Sequence, residues 1–132
     1  MRFTINAIAI CTLSTFLLGC GNDLDCASGS AKDLIARIAK ENPMMASLVF
    51  INAGKIVGDG RTDAQILSDV KAKMTYTVST IRMTAKDQTT GAVACAADLR
   101  GEASGYGAWT KAITYKLEKT SDGQLYGTVY GL

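Results

Sequence analysis

Few side chains in this chain of 132 residues are suited to catalysis: it has no histidine, and four cysteines. Without histidine there is no Ser-His or Cys-His nucleophile pair, no histidine-ligated zinc and no histidine proton shuttle. Asp87, Asp98 and Glu102 are the carboxylates to weigh for acid–base work. A glycoside hydrolase sets two carboxylates several ångströms apart in a cleft, and nothing in this spacing fixes that. Turn chemistry explains Asp87, and a strand end explains Asp98. Ser104, between Gly101 and Gly105, lacks the Gly-x-Ser-x-Gly spacing of a nucleophile elbow. Gly54, Gly58 and Gly60 lack the Lys-Ser/Thr pair of a phosphate loop. No motif couples a nucleophile to a base, so the expectation is a protein without catalysis, metal or cofactor.

The aromatic residues suit contact better than catalysis. Arg100 to Trp109 reads as a Gly-rich loop carrying Tyr106 and the only tryptophan, Trp109. Aromatics on an adaptable loop are contact anchors, although Trp109 closing the core edge is the simpler reading. Tyr126 and Tyr130 are placed on an outer strand face with Thr114, Lys116, Glu118 and Thr128. That face fits a wet protein contact as well as an ordinary solvated surface. Met44, Met45, Met74 and Met83 could line a pliable apolar pocket, with core filler the simpler reading.

Residues 1–20 read MRFTINAIAICTLSTFLLGC. Arg2 gives a positive start, and Ala7 to Leu18 is apolar but for Thr12, Ser14 and Thr15. A membrane-spanning helix needs about 20 apolar residues, so this stretch suits the core of a secretory signal instead. It closes on Leu17-Leu18-Gly19-Cys20, which resembles the lipobox of bacterial lipoproteins. The resemblance implies cleavage of residues 1–19, a thioether-linked diacylglycerol on Cys20 and an acyl chain on the new amino terminus. Each buried CH₂ contributes about 0.8 kcal/mol, and several chains together hold a domain permanently at a bilayer. In bacterial lipoproteins Asp after the lipidated Cys signals retention in the inner membrane. Gly21 stands there, so the resemblance implies the outer membrane, facing the periplasm.

Cys11 leaves with the signal and Cys20 is consumed by lipid, leaving Cys26 and Cys95. In an oxidising compartment an even remainder reads as a disulfide. The surroundings of Cys95 (Ala94, Ala96, Ala97) offer no electropositive group to activate a thiol. Beyond Arg2, 13 of the 14 basic side chains face 12 acidic ones. That balance argues against nucleic acid, which needs a concentrated basic face.

The elements behind these residues follow from periodicity. Residues 20–29 form a short polar tether, and residues 30–132 one domain. Leu34, Ile35, Ile38 and Ala39 share one face of a helix over 31–41, opened by Ser30–Asp33 as a capping-box variant and stopped by Asn42-Pro43. Met44 to Ile51 is apolar throughout, and periodicity leaves strand and helix open. Thr62 to Gln65 is a capping box for a short helix over 63–72.

From residue 73 the period is two, with a parity change near Ser79-Thr80 that predicts a bulge. Pairing Ala85 with Val93 puts Met83 opposite Cys95 and Ile81 opposite Ala97. In the last hairpin, Ser121-Asp122-Gly123 fits a three-residue loop with left-handed Gly. That register pairs Leu117 with Gly127 and Tyr115 with Val129. It places Tyr126 and Tyr130 opposite Glu118 and Thr114. The expected architecture is α+β: an N-terminal helix on a four-stranded antiparallel meander, two-layered, with a cystatin- or NTF2-like outline by element order alone.

The function expected from these features is a non-catalytic envelope lipoprotein that binds a protein partner as an inhibitor, immunity or exclusion factor. The alternatives are an accessory subunit of an envelope machine, and a small hydrolase or apolar-ligand carrier.

Overall fold

The computed structural model describes residues 23–52 and 60–132. The segment 1–19 expected to be a signal, Cys20 expected to carry lipid, and Gly54 and Gly58 lie outside the described residues. Among the described residues three helices precede four strands: α1 (Gly29–Glu41), α2 (Pro43–Asn52), α3 (Asp63–Lys73), β1 (Met74–Lys86), β2 (Val93–Ala103), β3 (Gly107–Lys119) and β4 (Leu125–Tyr130). The strands form one antiparallel sheet in sequence order, β1-β2-β3-β4. The helices cover one face of it, as expected for a two-layer α+β fold.

Local chemistry accounts for the helix ends. The α1 cap is Ser28, whose Oγ accepts from Ala31 N at 3.2 Å. Ser30, expected as the cap, lies inside the helix. Asn42 ends α1 because the residue before a proline avoids the helical region, and its backbone is extended at φ −81° and ψ 114°. Pro43 then opens α2 at the position where its missing N–H costs nothing. The apolar run Met44–Ile51 is therefore a helix. At α3, Thr62 Oγ1 accepts from Gln65 N at 3.3 Å while Gln65 Oε1 accepts from Thr62 N at 2.8 Å, the reciprocal pair of a capping box.

The core lies between helices and sheet. Ile35 and Ala39 of α1, Val49 of α2 and Val70 of α3 meet Leu99, Ile113, Tyr115 and Leu117 of the strands, all of them buried. Burying one such side chain contributes about 1.5–3 kcal/mol. Helix α1 touches both edge strands, β1 and β4. At β4 its Leu34 fills the space above Gly127, where an added Cβ would sit 2.9 Å from Leu34 Cδ2.

Cys26 and Cys95 form a disulfide with Cα atoms 6.0 Å apart and a sequence separation of 69 residues. Tyr115 donates its hydroxyl to Cys26 O at 2.8 Å, tying the same segment to β3.

Two pairings of the β1–β2 ladder differ from expectation. The β1–β2 ladder shifts between Ser79 and Arg82, at the expected bulge, and again between Met83 and Ala85. Met83 faces Cys95 as expected, but the second shift pairs Lys86 with Val93 and Ala85 with Ala94. Ile81 falls inside the first shift instead of facing Ala97. Residues 100–109 are not a long loop. Strand β2 runs to Ala103 and β3 starts at Gly107, so Ser104 to Tyr106 make a tight turn closed by Tyr106 N donating to Ala103 O at 2.9 Å. The last hairpin has the expected pairs Leu117–Gly127, Tyr115–Val129, Glu118–Tyr126 and Thr114–Tyr130.

Candidate functional site

The sheet has a second face, which no helix among the described residues covers. Register assembles its rows. Thr77, Arg100 and Thr110 align across β1, β2 and β3, and Ser79, Asp98 and Ala112 form the next row. Arg82, Ala96, Thr114 and Tyr130 then cross all four strands, followed by Ala85, Ala94, Lys116 and Thr128. At the centre of this face Ala96, Ala112 and Thr114 make a low patch beside Asp98, and the long side chains Arg82, Arg100, Lys116 and Tyr130 stand around it. Tyr126 and Tyr130 on edge strand β4 are each 56% exposed.

A shallow depression of about 230 Å³ lies over the row that crosses all four strands. Its floor is Ala96 and Ala112, and Arg82, Asp98, Thr114 and Tyr130 stand around it. Ala96 is only 7% exposed although it lies on the uncovered face. The bulge decides which way Arg82 points, because it shifts the parity of β1 between Ser79 and Arg82. Within it, Thr80 has φ +53°, a left-handed backbone that a β-branched residue adopts only under strain. At the other side Gly131, at φ +91°, brings the chain end against β3, where an added Cβ would meet Ala112 O at 3.4 Å. Asp98 and Arg82 form no ion pair with each other or with any other group among the described residues, so both charges remain available on this face.

The aromatic candidates separate into two sets. Tyr126 and Tyr130 stand on the open face. Tyr106 and Trp109 are each 9% exposed and belong to the core, which corrects their placement on an open loop. Trp109 donates its indole N–H to Met45 O at 3.2 Å, stacks edge-on to Tyr76 and packs against Gly101. An added Cβ at Gly101 would sit 2.5 Å from Trp109 Cζ2, so this glycine makes room for a ring instead of loosening a loop.

The carboxylates are not brought together. Asp87 caps the β1–β2 turn, accepting from Thr89 N at 2.8 Å and Thr90 N at 2.9 Å, and the Thr90 and Thr89 amides hold its carboxyl below the usual aspartate range. Asp98 and Glu102 are four residues apart on β2, about 13 Å along the strand, and Glu102 pairs with Arg100 at 3.2 Å. The methionines do not share a pocket either: Met45 and Met74 are core, while Met44 and Met83 are exposed. Among the described residues no group of three or more His, Cys, Asp or Glu is placed to hold a metal ion.

One polar cluster had no signal in the sequence. Tyr106 donates its hydroxyl to Asp69 Oδ2, Arg61 donates to Tyr106 Oη at 3.0 Å, and Lys73 reaches Asp69 Oδ2 at 3.1 Å. The ammonium of Lys73 also lies 5.3 Å from the Tyr106 ring centre. Tyr106 first, then Lys73, holds the Asp69 carboxyl below the usual aspartate range. The cluster fastens α3 to the β2–β3 turn. Its members come from positions 61 to 106, so only the fold juxtaposes them.

The chain matches no family model, no curated protein and no solved structure. Among the described residues no helix is long and apolar enough to cross a membrane.

Proposed function

We propose that this chain is a non-catalytic lipoprotein, anchored through acylated Cys20 to the outer membrane on its periplasmic side, that docks a protein partner on the open face of its sheet. The observation that carries the docking reading is the open row Arg82–Ala96–Thr114–Tyr130, with its low floor, its unpaired Arg82 and the unpaired Asp98 beside it. A solvated sheet face is normally defended by long charged side chains along its whole width. Here the middle is Ala and Thr, and the aromatic and charged groups ring it, which is the arrangement of a contact with a dry centre and a polar rim. Tyrosine supplies large, rigid contact area at low entropy cost.

Size supports a protein over a small molecule. The depression of about 230 Å³ is open and falls below the 300–1,000 Å³ of ligand pockets. The whole face, strands about 36 Å long at spacings near 4.8 Å, offers an area of order 600 Å², close to the roughly 800 Å² that one partner contributes to a standard interface.

The anchor is tested by Cys20→Ser, which is expected to abolish acyl labelling and release the protein from the membrane fraction. The docking reading is tested by a photo-crosslinking residue placed at Thr114 or Tyr130 in living cells. Both positions should trap the same protein, Asp33 on the exposed side of α1 should not, and Arg82→Glu should remove the adduct. Adducts that form equally from α1, or that survive Arg82→Glu, contradict the reading.

A further inference from the structure

We infer that the end of the sheet holding the β1–β2 and β3–β4 turns is the membrane-facing end of this protein, and that its contact there is with lipid headgroups. The inference rests on the proposal that Cys20 carries the lipid. It follows from where residues 23–28 sit and how firmly they are held. Asp23 pairs with Lys86, the last residue of β1, at 2.8 Å. Cys26 is bonded to Cys95, the third residue of β2, and its carbonyl accepts from Tyr115 at 2.8 Å. Ser28 then caps α1. Residues 23–28 are therefore fixed to one end of the sheet.

Only Gly21 and Asn22 lie between Cys20 and Asp23, and the three steps from one to the other span at most about 11 Å. Strand β2, of 11 residues, is about 36 Å long. Wherever the acyl chains sit, the Lys86 end stays within a short tether of the bilayer, while the Ser104–Gly105 turn has the length of the sheet by which to stand off. The near end is also chemically suited to headgroups. Its turns, residues 87–91 and 120–124, contain Asp, Gln, Thr, Ser and Gly and no large apolar side chain. They hydrogen-bond to polar lipid without entering the hydrocarbon.

The rival surface is α2, where Met44 and Ile51 are exposed. Trp109 joins α2 to the opposite end of the sheet, opposite Gly101. Sinking Met44 would also carry the neighbouring exposed Lys40 and Glu41 toward the hydrocarbon, at a desolvation cost.

The test uses the protein purified from membranes, placed in nanodiscs whose headgroups carry a paramagnetic chelate, with amide signals read by NMR. The expected result is loss of the Thr89, Thr90, Ser121 and Asp122 signals and retention of those of Arg61, Ser104 and Gly105. A Gly/Ser insert of about ten residues between Asn22 and Asp23 lengthens the tether and should restore the lost signals. Equal loss at both ends, or loss centred on Met44, Leu48 and Ile51, overturns the inference. Intact mass of the same preparation reads the anchor separately. If Cys20 carries no lipid, the anchor reading fails. A chain starting at Cys20, whose only unbridged cysteine is then Cys20, is coupled there to a maleimide lipid, and the same signal pattern decides the orientation.

Discussion

The two faces of the sheet share every strand and differ in almost everything else. On the helix side, Val93, Cys95, Leu99, Ile113, Tyr115 and Leu117 interlock with α1, α2 and α3. On the open side, the residues between them are Ala94, Ala96, Asp98, Ala112, Thr114 and Lys116. Volume is concentrated where it is buried, and the other side is kept low and flat. One set of positions therefore answers to stability and the alternate set to contact, so the two properties separate by substitution.

Removing the buried crosslink is the most severe way to break that separation. Cys26→Ser with Cys95→Ser opens a loop of 69 residues and is expected to cost about 4 kcal/mol in the chain-entropy model, read from denaturant midpoints. Next is Leu99→Ala, which empties a fully buried site and should cost about 2–5 kcal/mol. Gly101→Ala drives a methyl group into the Trp109 ring and should cost about 1–3 kcal/mol by overpacking. At the bulge beside the open face the sign reverses. Thr80→Gly relieves the left-handed backbone and should stabilise by about 1 kcal/mol. If the strain serves to aim Arg82, it should also weaken the Thr114 crosslink.

The smallest effect is one of pH. The folded-state pKa of Asp69 is depressed by Tyr106 and Lys73, so its contribution is present above the ordinary aspartate value of 3.8 and is lost as pH falls through the lower folded value. Acid unfolding of Asp69→Asn should therefore be shallower than that of the wild type over that window.

Much of this contrast was legible in the chain itself, and the exceptions have physical causes. The last hairpin follows from Ser121-Asp122-Gly123 because turn geometry fixes register, and Gly123 takes φ +82° as that turn demands. The disulfide joins the two cysteines that remain once the lipobox resemblance sets aside Cys11 and Cys20. Helix α2 was ambiguous because it is apolar all round and shows no period for a helix to declare. The stretch 100–109 resembled a loop because its glycines serve two purposes. Gly105, at φ +82°, does make a turn, but Gly101 lies within a strand to admit an indole. Arg82 was not recognisable as part of a site, since two register shifts in β1 decide which residues face outward. The Arg61–Asp69–Lys73–Tyr106 clamp has no local pattern at all.

The most direct test of the account is Thr114→Arg, which plants a long side chain in the middle of the flat face and touches nothing in the core. The account predicts a melting temperature within about 3 °C of the wild type, since surface changes stay near 0.5 kcal/mol, together with loss of the Tyr130 crosslink. A crosslink that persists, or one lost only in step with a falling melting temperature, would contradict it.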